Sequence, residues 1–252
     1  MLTRTIRSLA ALLGAAGLVA LYLEFPATYA SPRGLWQFAS YFTNLSNTGY
    51  ILVTLALAFA PAALTATPWF RAARGSVTMA MVLTGVGYAI LLPGTMSYFT
   101  HPWINYVIHG VMPAIALLDW LLTPPPAPRM RFRDAAWQWL LYPLVWTIYT
   151  VLHGWATAWF PYPFLDPAVV GVGGGLVVGA VTTVVLLGII AALTAYQRLR
   201  SGAHDRGERD GARPRHREDG RPDGQQSPPQ QHEHGDERPG PGRDRAHGVQ
   251  GR

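Results

Sequence analysis

The sequence predicts an all-α fold: a polytopic membrane helix bundle with six transmembrane helices and both termini in the cytoplasm. Three observations predict it. Half of the 252 residues are hydrophobic and 13% are charged, about half the charged share of an ordinary soluble domain. Six apolar runs reach roughly the 20 residues needed to cross a hydrocarbon core of about 30 Å. Arginine is concentrated at the termini of the apolar region and in alternate loops, as the positive-inside bias requires.

The runs fall at 5–23, 40–60, 76–93, 104–122, 136–156 and 168–195. The first follows Arg4 and Arg7 and could be mistaken for a secretory signal. Its only cleavage-like site, Thr28-Tyr29-Ala30, is poor, so the segment is expected to remain as the first span. Short loops rich in proline separate the runs: Pro26 and Pro32, Pro61 and Pro68, Pro93-Gly94, Pro124 to Pro126, and Pro161, Pro163 and Pro167. The second loop carries Arg71 and Arg74, and the fourth carries Arg129, Arg131 and Arg133. The odd-numbered loops carry Arg33 alone. The arginine-rich loops are therefore expected on the cytoplasmic side, and an even number of spans puts both ends there. Eight of the nine tryptophans lie near run ends, where interfacial indoles belong; Trp146 is mid-span. In the sixth run Gly171, Gly175 and Gly179 recur every four residues, a small-residue face expected to pack inside the bundle.

Two regions follow: a transmembrane domain over 1–200 and a charged cytoplasmic tail over 201–252. The tail holds ten arginines balanced by ten acids and has no apolar periodicity. It cannot bury a core and is expected to be disordered. His232 and His234 read there as solvated rather than as metal ligands. The net charge of +6 thus belongs to the first 200 residues. The span-flanking arginines account for it without a nucleic-acid partner. Lysine is absent and Arg, Ala, Gly and Pro are abundant, the composition of a GC-rich bacterial genome, so the expected location is the inner (plasma) membrane. The absence of cysteine excludes disulfides and thiolate chemistry. No cofactor or metal is expected.

The second run begins with "YFTNLSNTGY", a polar opening for a membrane helix. Thr43, Ser46, Asn47 and Tyr50 share one helical face, and Asn44 lies beside it. On the expected topology this is the outer end. His109, about five residues into the fourth run, lies at matching depth, roughly 8 Å in. Asn105, His153 and Asp166 are expected near the same face. An ionisable residue within a span is costly and usually faces a cavity or partner. Pro113 cannot donate to the His109 carbonyl, which loosens the helix there. A threonine hydroxyl is a weak nucleophile, and an adjacent imidazole is its usual activator. The pair Thr43 and His109 is therefore a candidate nucleophile and base. Asn44, Asn47, Asn105 and His153 are candidates for binding substrate or an oxyanion. Asp166 and Glu24 are the acids available to orient the histidine. Asp119 is read as a structural partner for loop arginines. Two other readings use the same polar residues: a lipid-binding or transport pocket without chemistry, and a haem held by His109 and His153.

"YFTNLSN", "RGSVTMAMVLTGVGY", "HGVMPAIALLDWLL", "YPLVWTIYTVLHG" and "PYPFLD" occur in that order. Together they resemble the bacterial Pr-six-Pr integral membrane proteins, relatives of the androgen-induced protein family. The resemblance spans about 35–170. It implies a multi-pass threonine hydrolase acting on lipid esters, with fatty acid esters of hydroxy fatty acids as the substrates of the animal members. Carried onto this chain, the nucleophile is Thr43 and the histidine is His109. Ala89 departs from the pattern, standing where many bacterial relatives have a histidine.

Overall fold

The computed structural model of the chain describes residues 2–25, 28, 31–91, 100–123 and 130–211. Among them every regular element is helical. In chain order these are α1 (Leu2–Glu24), α2 (Pro32–Ser40), α3 (Phe42–Phe59), the short α4 (Ala62–Thr65) and α5 (Pro68–Leu91). Then come α6 (Pro102–Tyr106), a π-helical turn (Val107–Val111) and α7 (Met112–Leu122), which run as one rod, followed by α8 (Phe132–Thr157), a 3₁₀ turn (Pro163–Leu165) and α9 (Pro167–Gly211). Six long helical segments thus stand where the six apolar runs were expected. Three of them, Thr3–Glu24, Pro102–Leu122 and Pro167–Arg200, are long and apolar enough to cross a membrane. α3 is not among the three because its first two turns carry Thr43, Asn44, Ser46, Asn47 and Thr48.

The perimeter of the bundle is apolar. Leu9, Leu12, Leu23, Leu52, Phe59, Ile90, Leu122, Leu152, Leu176 and Val184 are all more than half exposed. Leaving a large aliphatic side chain in water forgoes about 1.5–3 kcal/mol relative to burying it. A surface of this kind marks the chain as membrane-associated. Inside, α1 packs mainly on α3, α3 on α5, and α5 on α7 and α8. One core cluster joins Tyr50, Met81, Ile104, Ile108 and Met112 beneath the first turns of α3. A second joins Met79, Trp120, Trp139 and Ile190.

Four expectations need revising. Trp120 and Trp139 are not interfacial: they are 2% and 1% exposed and meet edge to face at 5.5 Å. The gap that admits Trp139 is made by Gly75 on α5, where any Cβ would run into the indole. Arg71 and Arg74 are not in a loop, because α5 begins at Pro68. Arg74 can sit in a helix because Asp119 neutralises it. The glycines of α9 do not pack inside the bundle: Cβ atoms at Gly175 and Gly179 would meet nothing within 4 Å. Gly171 instead breaks the helix at φ +69°, ψ 166°, a conformation open to glycine. Finally, the α9 backbone continues to Gly211, so the boundary placed at 200 falls inside a helix. The tail beyond Gly211 lies outside the described residues.

At one end of the bundle three charges from three helices meet. Asp119 of α7 pairs with Arg7 of α1 at 2.9 Å and Arg74 of α5 at 3.1 Å. Arg74 also donates to the backbone carbonyls of Asp119 at 3.2 Å and Thr123 at 2.9 Å at the end of α7; the Asp119 carbonyl accepts the Thr123 N–H as well, at 3.0 Å. The guanidinium lies 5.3 Å from the Trp120 ring centre. Asp119 is thus the structural partner of two arginines, as its place in the sequence suggested.

Candidate functional site

The polar opening of α3 lies at the other end. Tyr41, the residue before the helix, has no side chain able to cap it, so the first N–H groups of α3 have no local acceptor. The cap comes from 119 residues away. The Tyr162 hydroxyl accepts from the Thr43 backbone N–H at 3.4 Å and lies 3.4 Å from the Thr43 hydroxyl. Tyr162 stands in extended conformation between Pro161 and Pro163, just before the 3₁₀ turn. The two prolines restrict this segment to extended backbone. Tyr41 and Phe164 hold the ring, with centroids at 5.5 and 5.1 Å. Burial pushes the Tyr162 phenol up, so it stays a neutral donor through the physiological range.

Thr43 also meets the histidine. Its hydroxyl lies 3.3 Å from His109 Nε2. His109 occupies the middle of the π-helical turn Val107–Val111, four residues before Pro113. The missing proline donor is accommodated by a local change of helical register, a feature common at functional sites. Gly85 lets α5 approach here, since its Cβ position is 3.1 Å from Pro113 and 3.4 Å from the His109 carbonyl. Tyr88 stacks on the imidazole at 4.3 Å and 23°. The Asn105 side-chain amide donates to the Tyr88 hydroxyl at 2.5 Å. His109 Nδ1 is buried and has no hydrogen-bond partner among the described residues. A proton on Nδ1 leaves the Nε2 lone pair toward the Thr43 hydroxyl.

The other expected residues have different duties. The Asn47 amide donates to the carbonyls of Thr43 at 2.9 Å and Ile108 at 3.1 Å. It ties α3 to the π turn and fixes the Thr43–His109 spacing, and both of its N–H groups are thereby engaged. Asn44 donates to the Phe38 carbonyl at 2.8 Å. Glu24 binds His101 Nδ1 at 2.8 Å and the Thr100 amide. Asp166 caps α9 through Ala168 N at 2.8 Å. Neither acid orients His109. His153 lies in a groove with Arg33, and its ring neighbours are Tyr149 and Trp159. Tyr162 and Tyr88 were not singled out as site residues from sequence. The place of Tyr162 between two helix-breaking prolines marks an extended segment but not its contact with Thr43.

A buried hydroxyl, an imidazole from a second helix and a phenol from a third segment thus meet at the start of α3. No family model, no curated protein and no solved structure matches the chain.

Proposed function

We propose that the chain is a membrane-embedded threonine hydrolase that cleaves a lipid ester. The observation that carries this reading is the 3.3 Å approach of Thr43 Oγ1 to His109 Nε2 at the start of α3, beside the Tyr162 hydroxyl. The resemblance to the androgen-induced protein family supports the same pair, with fatty acid esters of hydroxy fatty acids as the substrate class.

In the proposed reaction His109 Nε2 takes the Thr43 proton as Oγ1 adds to the ester carbonyl carbon. The negative charge moves to the carbonyl oxygen. Tyr162 O–H and the Thr43 backbone N–H are its donors, aided by the positive end of the α3 dipole. Collapse breaks the bond to the leaving alkoxide, which receives the proton from His109 and departs as the alcohol. The acyl group remains on Thr43. Water then adds with His109 again as base, and collapse returns the Thr43 hydroxyl and releases the carboxylic acid. Thr43 is 7% exposed beneath Tyr162, so the 158–166 segment must shift to admit an ester. Ala158, at φ 53°, is where this segment leaves α8.

Hydrolysis of p-nitrophenyl decanoate by the purified chain tests the reading. Turnover no greater than that of Thr43→Ala would sink it. Tyr162→Phe is expected to lose about 10²-fold in kcat, in the range for removing one oxyanion donor. A kcat equal to wild type would remove Tyr162 from the chemistry.

The topology proposed is six crossings of the bacterial inner membrane with both termini cytoplasmic. Its supports are the Arg7–Asp119–Arg74 cluster at one end and the contact of Arg200 with the Leu121 carbonyl at that same end. Arg33 alone lies among the groove residues at the other. Externally added maleimide is expected to label Arg33→Cys and Leu165→Cys but not Ala73→Cys or Arg131→Cys. External labelling at 131 would invert the orientation.

A further inference from the structure

A groove of about 380 Å³ opens between α2 and the end of α8, lined by Arg33, Trp36, Gln37, His153 and Thr157. The lining comes as two same-face groups: Arg33, Trp36 and Gln37 on α2, and His153 with Thr157 one turn apart on α8. The two helices are fixed to each other beneath it. Ser40 Oγ lies 2.5 Å from the Tyr149 hydroxyl, Trp146 Nε1 donates to the Ser40 carbonyl at 2.9 Å, and Trp36 meets Tyr149 edge to face at 6.1 Å. The groove is therefore a built concavity at the small end of the ligand-site range.

Its chemistry is one-sided. Arg33, Gln37 and His153 can donate, and no carboxylate lines it. The four acids of the first 200 residues are engaged elsewhere. Glu24 holds His101, Asp119 holds Arg7 and Arg74, and Asp166 caps α9. Asp134 is in the first turn of α8, at the opposite end of that helix from His153 and Thr157. Arg33 is also the one arginine of that region outside the arginine-rich termini and loops, so loop charge bias leaves it unexplained. Trp36, 57% exposed, puts an amphipathic ring beside it, the side chain suited to the boundary between headgroups and acyl chains.

We infer that this groove binds the anionic headgroup of a lipid. Arg33 supplies the charge-assisted hydrogen bonds to the phosphate, Gln37 and His153 supply further donors, and Trp36 lies against the glycerol and first methylenes. The inference uses the groove alone and does not rest on the hydrolase reading.

Calorimetric titration of the purified full chain in neutral detergent tests it, with dihexanoyl phosphatidylglycerol, dihexanoyl phosphatidylcholine and inorganic phosphate as probes. Wild type is expected to bind the phosphatidylglycerol about tenfold more tightly than the phosphatidylcholine, and inorganic phosphate far more weakly than either. Arg33→Gln, at an exposed position, should keep the wild-type melting temperature and lose about tenfold for phosphatidylglycerol. Trp36→Ala should weaken both lipids. Equal affinity for the two lipids in wild type, or unchanged phosphatidylglycerol binding in Arg33→Gln, overturns the inference. Inorganic phosphate binding as tightly as the lipid overturns the headgroup assignment and leaves a soluble-anion site.

Discussion

Thr43→Ala and His109→Ala are each expected to remove ester cleavage by at least about 10³-fold in kcat, and the double variant to lose little more. Groups that act as one unit are strongly non-additive, because either loss alone stops the same step. The 3.3 Å contact makes the pair a unit of this kind. Thr43→Ser is expected to retain part of the activity, since it keeps the hydroxyl at the first turn of α3. Both alanine variants should still fold. The links that join α3 to the π turn run through Asn47 to backbone carbonyls, and neither substitution touches them. Full activity in His109→Ala would end the proposed mechanism. Multiplicative losses in the double variant would mean the two residues act separately.

Asp119→Ala is expected to produce the largest loss of stability, about 3–5 kcal/mol. The carboxylate stands between two guanidinium groups whose side chains are 10% and 6% exposed. Without it, two like charges face each other at the end of a bundle with an apolar perimeter, and among the described residues neither pairs with another acid. Arg74 would keep its carbonyl contacts at the end of α7, but Arg7 would lose its ionic partner. Thermal unfolding in detergent, followed by light scattering, measures the effect. The variant carrying Asp119→Leu, Arg7→Leu and Arg74→Leu together should recover most of the loss, because the uncompensated charge is removed with the acid. An Asp119→Ala protein as stable as wild type would show that water, not Asp119, neutralises the arginines.

The helices were legible because each rests on a local signal. Apolar runs of about 20 residues end at prolines, and this pattern located all six long segments to within a few residues at most ends. The start of α5 was missed because charge near Arg71 and Arg74 imitates a loop; only the distant Asp119 shows why a helix can hold Arg74. Trp120 and Trp139 were misread for a similar reason. Indoles near run ends usually mark an interface, but the space opened by Gly75 is a property of a neighbouring helix. The Thr43–His109 pair was legible from matched depth in two runs, with the resemblance pointing to the same residues. Tyr162 was not. Its contact with Thr43 spans 119 residues, and a tyrosine between prolines carries no periodic signal. The helix it caps gave one indirect clue, since Tyr41 offers no side-chain cap of its own.

The most direct test of the central claim is the mass of the labelled chain. Wild-type protein, Thr43→Ala and His109→Ala are each treated with an alkyl fluorophosphonate and measured intact, and the modified peptide is then sequenced. One adduct is expected in wild type, carried on Thr43, none in Thr43→Ala and a strongly slowed adduct in His109→Ala. An adduct that persists in Thr43→Ala, or that maps to any other residue, would contradict Thr43 as the nucleophile.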